Sequence, residues 1–176
     1  DSCHVIELGV SSGRRAADAE GDTLPQPLPG PDALGTLQYT GGTTGISKGV
    51  NLSHRNIAVN ISQREALLPT AKGGERILCV LPLFHVYGVA MCLHNAVYAG
   101  ATLVILPRFT PEAAFSLLET ERITILAGSP TVFVGLISDE KFTGTDFSNL
   151  VLSYSGSAAL PAALLQKWEQ ATGAPV

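Results

Sequence analysis

Apolar positions along this chain follow three successive regimes, and each predicts a different kind of element. Residues 1–33 show no apolar period; they are polar and then proline-rich, as in "TLPQPLPGPD" (23–32), and read as a surface linker ahead of a domain over 34–176. Two short β-compatible runs follow, "TLQYT" (36–40) and "GVNLS" (49–53), on either side of a glycine-rich stretch. They predict antiparallel strands joined by an outward-facing loop. From Ser53 the rhythm changes: in "SHRNIAVNISQREALL" Ile57, Ile61 and Leu68 recur at near-helical intervals, with Ser53 as a suitable N-cap.

The third regime alternates uniformly apolar runs with helical ones. "RILCVLPL" (76–83), "ATLVILP" (101–107), "ITILAGSP" (123–130) and "NLVLSYSG" (149–156) read as strands. Between and after them, "VYGVAMCLHNAVYAG" (86–100) reads as a buried helix ending at Gly100. "TPEAAFSLLETER" (110–122), with Thr110 as cap and Pro111 at the first helical position, reads as another, as do "PTVFVGLIS" (130–138) and "PAALLQKWEQATG" (161–173). Strands apolar at nearly every position need cover on both faces. The expectation is therefore an α/β fold: a mostly parallel sheet with helices on both faces, preceded by a β-hairpin. Ligand sites in such sheets lie at the carboxyl ends of strands, here "PLFH", "LPRF" and "SYSGSAAL".

Between Ile77 and Leu106 there is no Asp, Glu, Lys or Arg, long enough to raise the question of a membrane-spanning helix. Pro82, Gly88 and Gly100 interrupt the stretch, and His85, His94 and Asn95 would need partners in hydrocarbon, so buried strand–helix–strand is the expectation. The rest of the composition agrees: 45% hydrophobic and 15% charged residues suit one domain with a real core. A net charge of −4 without any Lys/Arg run argues against a nucleic-acid partner, since phosphate backbones are held by clustered cations. Three cysteines, Cys3, Cys79 and Cys92, form no CxxC pair, which points to a reducing, cytoplasmic compartment without a disulfide framework or zinc site. The chain opens Asp-Ser-Cys-His, with neither methionine nor a secretory signal, and is expected to be a piece of something longer.

Candidate chemistry concentrates in the hairpin loop, "YTGGTTGISKG" (39–49). Glycines without Cβ let backbone N–H groups approach an anion, threonine hydroxyls donate further hydrogen bonds and Lys48 supplies full charge. Those are a polyphosphate's requirements. A Walker A loop is disfavoured, because Ser47 precedes Lys48 and Gly49 follows it. A plain flexible hairpin tip would account for the glycines, not for the threonines and lysine.

This stretch resembles the phosphate-binding signature of the adenylate-forming superfamily, the acyl-CoA synthetases, luciferases and peptide-synthetase adenylation domains. Gly41 stands where the family usually has serine and Ser47 where it usually has proline; the Gly41 form is similar to that of bacterial long-chain fatty acid–CoA ligases. The likeness runs from about Leu34 to Val176. "LPLFHVYG" resembles the segment whose histidine, here His85, borders the acyl pocket; "SGSAALP" resembles the segment, here Ser155, Gly156 and Ser157, that packs against adenine. "GATLVILPRF" places Arg108 where the family implies contact with CoA phosphates.

The resemblance implies activation of a carboxylate by ATP to acyl-AMP, then transfer to CoA. Thr40, Gly41, Gly42, Thr43, Thr44, Gly45 and Lys48 would hold the triphosphate, and Lys48 and His85 would be the catalytic pair. Fatty acid and CoA are the implied partners, with Mg²⁺ held by a glutamate in a downstream Gly-Tyr-Gly-x-Thr-Glu segment that does not occur in this sequence. A ribose-binding aspartate and a lid domain with a lysine are absent likewise, so the chain alone is expected to be inactive. Peripheral attachment of the parent to the membrane's inner face stays open. Each residue also has a plainer reading: His85 as a core histidine, Ser155 and Ser157 as turn residues, Arg108 as a solvated cation. Two alternative functions remain beside the ligase: an amino-acid-activating adenylation domain, and a non-catalytic nucleotide-binding or interaction module.

Overall fold

The computed structural model describes residues 27–41, 47–71 and 73–176. The linker expected over 1–33 lies outside them as far as residue 26, and so do Gly42, Thr43, Thr44 and Gly45 of the loop. The chain divides into two units, 1–30 and Pro31–Val176, and the elements below belong to the second.

Strands β1 (Leu34–Thr40) and β2 (Lys48–Ser53) form the antiparallel hairpin, with Thr40 opposite Lys48 and Tyr39 opposite Gly49. Helix α1 (His54–Leu67) starts without any connecting loop, because Ser53 is both the last residue of β2 and the N-cap. Its hydroxyl accepts from the Asn56 N–H at 3.2 Å, and Asn56 Oδ1 accepts from the Ser53 N–H at 3.0 Å. That reciprocal pair satisfies donors a helix start leaves orphaned.

The second sheet has four parallel strands, β3 (Arg76–Cys79), β4 (Thr102–Ile105), β5 (Ile125–Gly128) and β6 (Leu152–Ser155), in the order β4-β3-β5-β6. The period of two sorts its side chains. Ile77, Cys79, Ile125, Ala127 and Tyr154 join one apolar layer with Cys92 and Ala96. Leu78 and Leu126 join the other, with Phe115, Phe133, Leu136 and Trp168. Helices α3 (Pro111–Thr120), α4 (Pro130–Ser138) and α5 (Ala162–Thr172) supply the second layer. The first is covered by the helical segment 86–99, which carries Met91, Cys92 and Ala96. Chain direction explains the split: β3 to β4 steps one way across the sheet, β4 to β5 to β6 steps the other, and crossovers of one hand then place their helices on opposite faces. Cys79 and Cys92 are buried free thiols.

Two elements differ from expectation. The run "RILCVLPL" pairs only as far as Cys79; at Pro82 the chain turns, with the His85 N–H donating to the Pro82 carbonyl at 3.0 Å. The helix expected over 86–100 is three pieces: an α-turn Val86–Gly88, a π-helical stretch Val89–His94 and an α-helix Asn95–Ala99, together α2. Such π segments are uncommon and often border functional sites. A 3₁₀ turn, Glu140–Gly144, also follows α4 and brings Phe142 against Trp168, with ring centroids 5.8 Å apart.

Candidate active site

Strand order reverses at β3, whose successor β4 lies on one side and β5 on the other. In open parallel sheets that reversal opens a crevice at the strands' carboxyl ends. The segment 80–85 leaves β3 there, and β6 ends nearby at Ser155, with Gly156 donating its N–H to the Gly128 carbonyl of β5 at 3.2 Å. The sequence motifs around His85 and Ser155 therefore meet, although 70 residues separate them.

Their junction is built by Tyr87. Its hydroxyl lies 3.0 Å from the Tyr154 carbonyl and 3.2 Å from the Gly128 carbonyl, so one phenol ties α2 to the ends of both β5 and β6. Burial, with Cys92 and Tyr154 adding to it, pushes this phenol well above its ordinary pKa, which keeps it a donor. The ring lies on Gly156: a Cβ there would stand 2.6 Å from Tyr87 Cζ, closer than side chains pack. Gly88 shows the same constraint below the turn, where a Cβ would meet the Pro82 carbonyl oxygen at 2.5 Å. No side chain other than glycine's hydrogen fits either place without a shift.

His85 is exposed and caps α2, its Nδ1 accepting the Tyr87 N–H at 3.2 Å. An Nδ1 that accepts leaves Nε2 to carry the ring proton. In the serine segment, Ser155 Oγ is buried and has no hydrogen-bond partner among the described residues, an uncommon condition for a hydroxyl. Ser157 holds a left-handed backbone, φ 72°, which non-glycine residues adopt at a cost and mostly where function demands it.

The hairpin reaches this place through one amide. Gln38 Nε2 donates to the Phe84 carbonyl at 2.9 Å, joining β1 to the residue before His85. Thr40, Gly41 and Lys48 stand exposed at the hairpin's open end, where Thr40 Oγ1 faces the Lys48 carbonyl at 3.5 Å. Between hairpin, α1 and α2 lies a cleft of about 470 Å³, lined by Leu52, Ile57, Val86, Ala90, Met91 and His94 among others. Burial holds the His94 imidazole below its ordinary pKa. Arg108, exposed beyond β4 at the sheet's edge, makes no hydrogen bond or ion pair with these groups among the described residues. A larger depression of about 740 Å³ lies elsewhere, between α3 and the 3₁₀ turn. Among the described residues no group of His, Cys, Asp and Glu could hold a metal ion, so the Mg²⁺ implied by the resemblance has no ligand set there.

The structure thus joins the turn that carries His85 to the 155–157 segment through Tyr87, which lies on Gly156, and ties β1 to the same turn through Gln38. Gln38 and Tyr87 were not anticipated. Tyr87 sits within the same short motif as His85, but its role depends on two carbonyls distant in sequence; Gln38 alternates with apolar residues on a strand and carries no local signal.

Comparison with known proteins identifies the family. The family described as AMP-binding enzyme matches residues 3–176. A long-chain-fatty-acid–CoA ligase of Bacillus subtilis is 38% identical over 152 residues, covering 86% of this chain and 27% of that protein. 4-Coumarate–CoA ligase 1 of Oryza sativa is 31% identical over 163 residues, covering 91% of this chain and 29% of the relative. Among solved structures, ATP-bound MatB from Rhodopseudomonas palustris superposes with a TM-score of 0.71 at 32% identity, covering 84% of this chain and 29% of that one. The anthranilate–CoA ligase AuaEII with anthranoyl-AMP gives 0.75 at 28% identity, covering 82% and 28%. The chain spans a little over a quarter of the length of the relatives it matches. On a match that runs over nearly all of its residues, this chain belongs to the AMP-binding enzyme family.

Proposed function

We propose that the parent protein is an ATP-dependent fatty acid–CoA ligase, and that residues 34–176 are the part of its adenylating domain that carries the triphosphate loop and the carboxylate side of the crevice. The supporting observation is the switch-point assembly itself: Gln38 and Tyr87 bring the loop's neck, His85 and the 155–157 segment to one place. In the first step a carboxylate oxygen attacks the α-phosphorus of ATP, and the bond to the β-phosphate oxygen breaks as pyrophosphate leaves. Such chemistry needs positioning and charge compensation more than a covalent protein group. Lys48, with the donors of Thr40, Gly41, Gly42, Thr43, Thr44 and Gly45, would neutralise the departing phosphates. His85 would orient the carboxylate through Nε2–H, and the apolar cleft below it suits an acyl chain. Ser155, Gly156 and Ser157 would pack their backbone against adenine, Ser155 Oγ being a hydroxyl in want of a partner. In the second step the CoA thiolate displaces AMP from the acyl carbon, with Arg108 as a contact for CoA phosphates.

The two curated relatives described above are both CoA ligases, which favours this reading over amino-acid activation. Among the described residues no helix is long and apolar enough to cross a membrane. On its cysteine usage we place the parent in the cytoplasm, with peripheral attachment to the membrane's inner face left open. Pyrophosphate exchange by the intact parent should proceed with fatty acids and not with amino acids, while residues 1–176 alone should show no turnover. Lys48→Ala in the parent should lower exchange by about 10²–10³-fold. Untouched exchange in that variant would defeat the assignment.

A further inference from the structure

The two sheets share no backbone ladder among the described residues, so something else must hold the hairpin at a fixed distance from the strand ends. Gln38 does so at one end of the unit formed by the hairpin and α1. At the other end stands Arg64, in the last turn of α1 and 9% exposed. A guanidinium withdrawn from water is costly unless its hydrogens find acceptors. Here Nη1 donates to the Tyr154 hydroxyl at 3.2 Å and Nη2 to Asn95 Oδ1 of α2 at 2.7 Å, while the Glu65 carboxylate supplies the countercharge. Glu65 is held in turn by the Thr70 N–H at 3.2 Å and the Thr70 hydroxyl at 2.9 Å. Of the guanidinium's nitrogens, Nε has no partner among the described residues.

Tyr154 is no ordinary acceptor, since it precedes Ser155 and its carbonyl receives the Tyr87 hydroxyl. Arg64 therefore grips the same strand end that presents the serine segment. The gripping helix continues without a joint, through the Ser53 cap, into the strand that begins at Lys48. We infer that Arg64 is a positioning residue: through the Tyr154 hydroxyl and the Asn95 amide it sets the stance of Lys48, at the start of β2, against the 155–157 segment. This rests on the function proposed above and adds to it the group that fixes the relative placement of the two halves of the nucleotide site. Gln38 alone would leave the unit free to swing about a single hydrogen bond.

The two half-reactions of the intact parent enzyme separate this role from plain structural support. Adenylate formation needs the triphosphate loop in register; thioester formation from supplied acyl-adenylate and CoA involves no triphosphate. Arg64→Met should lower ATP–pyrophosphate exchange on the order of ten- to a hundredfold, because small misplacements at a reacting centre cost that much. Thioester formation from acyl-adenylate should stay within about twofold of the unmodified enzyme. Tyr154→Phe, which deletes one acceptor and leaves the ring, should shift exchange alone, in the same direction and less. Should Arg64→Met fail to fold, Tyr154→Phe decides, and unchanged exchange there overturns the inference. Equal losses in both half-reactions overturn it as well, marking Arg64 as structural. A parent that exchanges no pyrophosphate with any carboxylic acid defeats the functional reading and this inference with it; an active parent whose half-reactions respond alike defeats this inference only.

Discussion

The four-stranded sheet and the hairpin–α1 unit are held by different kinds of force. In the sheet, Ile77, Leu78, Ile125, Leu126, Phe133 and Trp168 are at most 1% exposed, and each strand is laddered to a neighbour. The hairpin has almost no such interior: Leu34, Leu37, Tyr39 and Val50 are all exposed, and Ile57 and Ile61 of α1 are only half-buried. Its placement comes instead from directed polar links, Gln38 to Phe84 and Arg64 to Asn95 and Tyr154. Apolar packing is strong and indifferent to direction; hydrogen bonds are weaker and specify geometry. A frame of the first kind gives the crevice a rigid floor. An arm of the second kind leaves Thr40, Gly41 and Lys48 exposed.

This contrast is sharpest in how each region should respond to damage. Trp168 packs against Phe133 at 4.9 Å between centroids, edge to face, and its Nε1–H donates to Ser153 Oγ at 3.1 Å. Trp168→Ala should cost about 3–5 kcal/mol in the denaturant unfolding of the parent protein. A loss of stability no larger than that of a hairpin substitution such as Leu37→Ala would break the distinction between frame and arm. At the seam between them, Gly156→Ala drives a methyl into the Tyr87 ring and should destabilise by about 1–3 kcal/mol. Combining it with Tyr87→Ala should cost less than the sum of the single changes, because the clash is then gone; strict additivity would mean the ring is not the obstacle.

Smaller effects belong to the arm. Ser53→Ala removes the cap that welds β2 to α1 and should cost about 1 kcal/mol, read as a lowered unfolding midpoint, with Ser53→Asp retaining most of it. Smallest is the pH response of His94. Burial depresses its folded pKa, so its contribution is complete above the ordinary value of 6.5 and is lost as pH falls through the lower folded value. His94→Gln should flatten that part of the stability profile, and an unchanged acid limb would show that His94 is no more buried than in the unfolded chain.

Much of the frame was legible beforehand because its signals are local. Uniformly apolar strands and Thr110 before Pro111 each carry their meaning within a few residues. Thr110 indeed accepts the Ala113 N–H at 3.2 Å. The end of the strand at Cys79 and the π stretch in α2 were not legible, since apolar residues continue past both and only the fit of Gly88 under Pro82 shows where the chain must turn. Around the candidate site, motifs located His85 and the serine segment. Tyr87, Gln38 and Arg64 escaped notice, because a tyrosine, a glutamine or an arginine acquires its role from acceptors that arrive from elsewhere in the chain.

By itself, then, the order of residues determined which segments are strands and helices, that the sheet needs cover on two faces, and that a loop of glycine, threonine and lysine suits polyphosphate. Periodicity, capping and loop chemistry act over a turn or two, within reach of neighbouring residues. Only the tertiary structure decided that the turn carrying His85 meets the end of β6 through Tyr87, that one phenol bridges two strand ends, and that a buried guanidinium ties the hairpin's helix to β6. Those facts depend on strand order and on carbonyls brought together by burial, which no local pattern encodes.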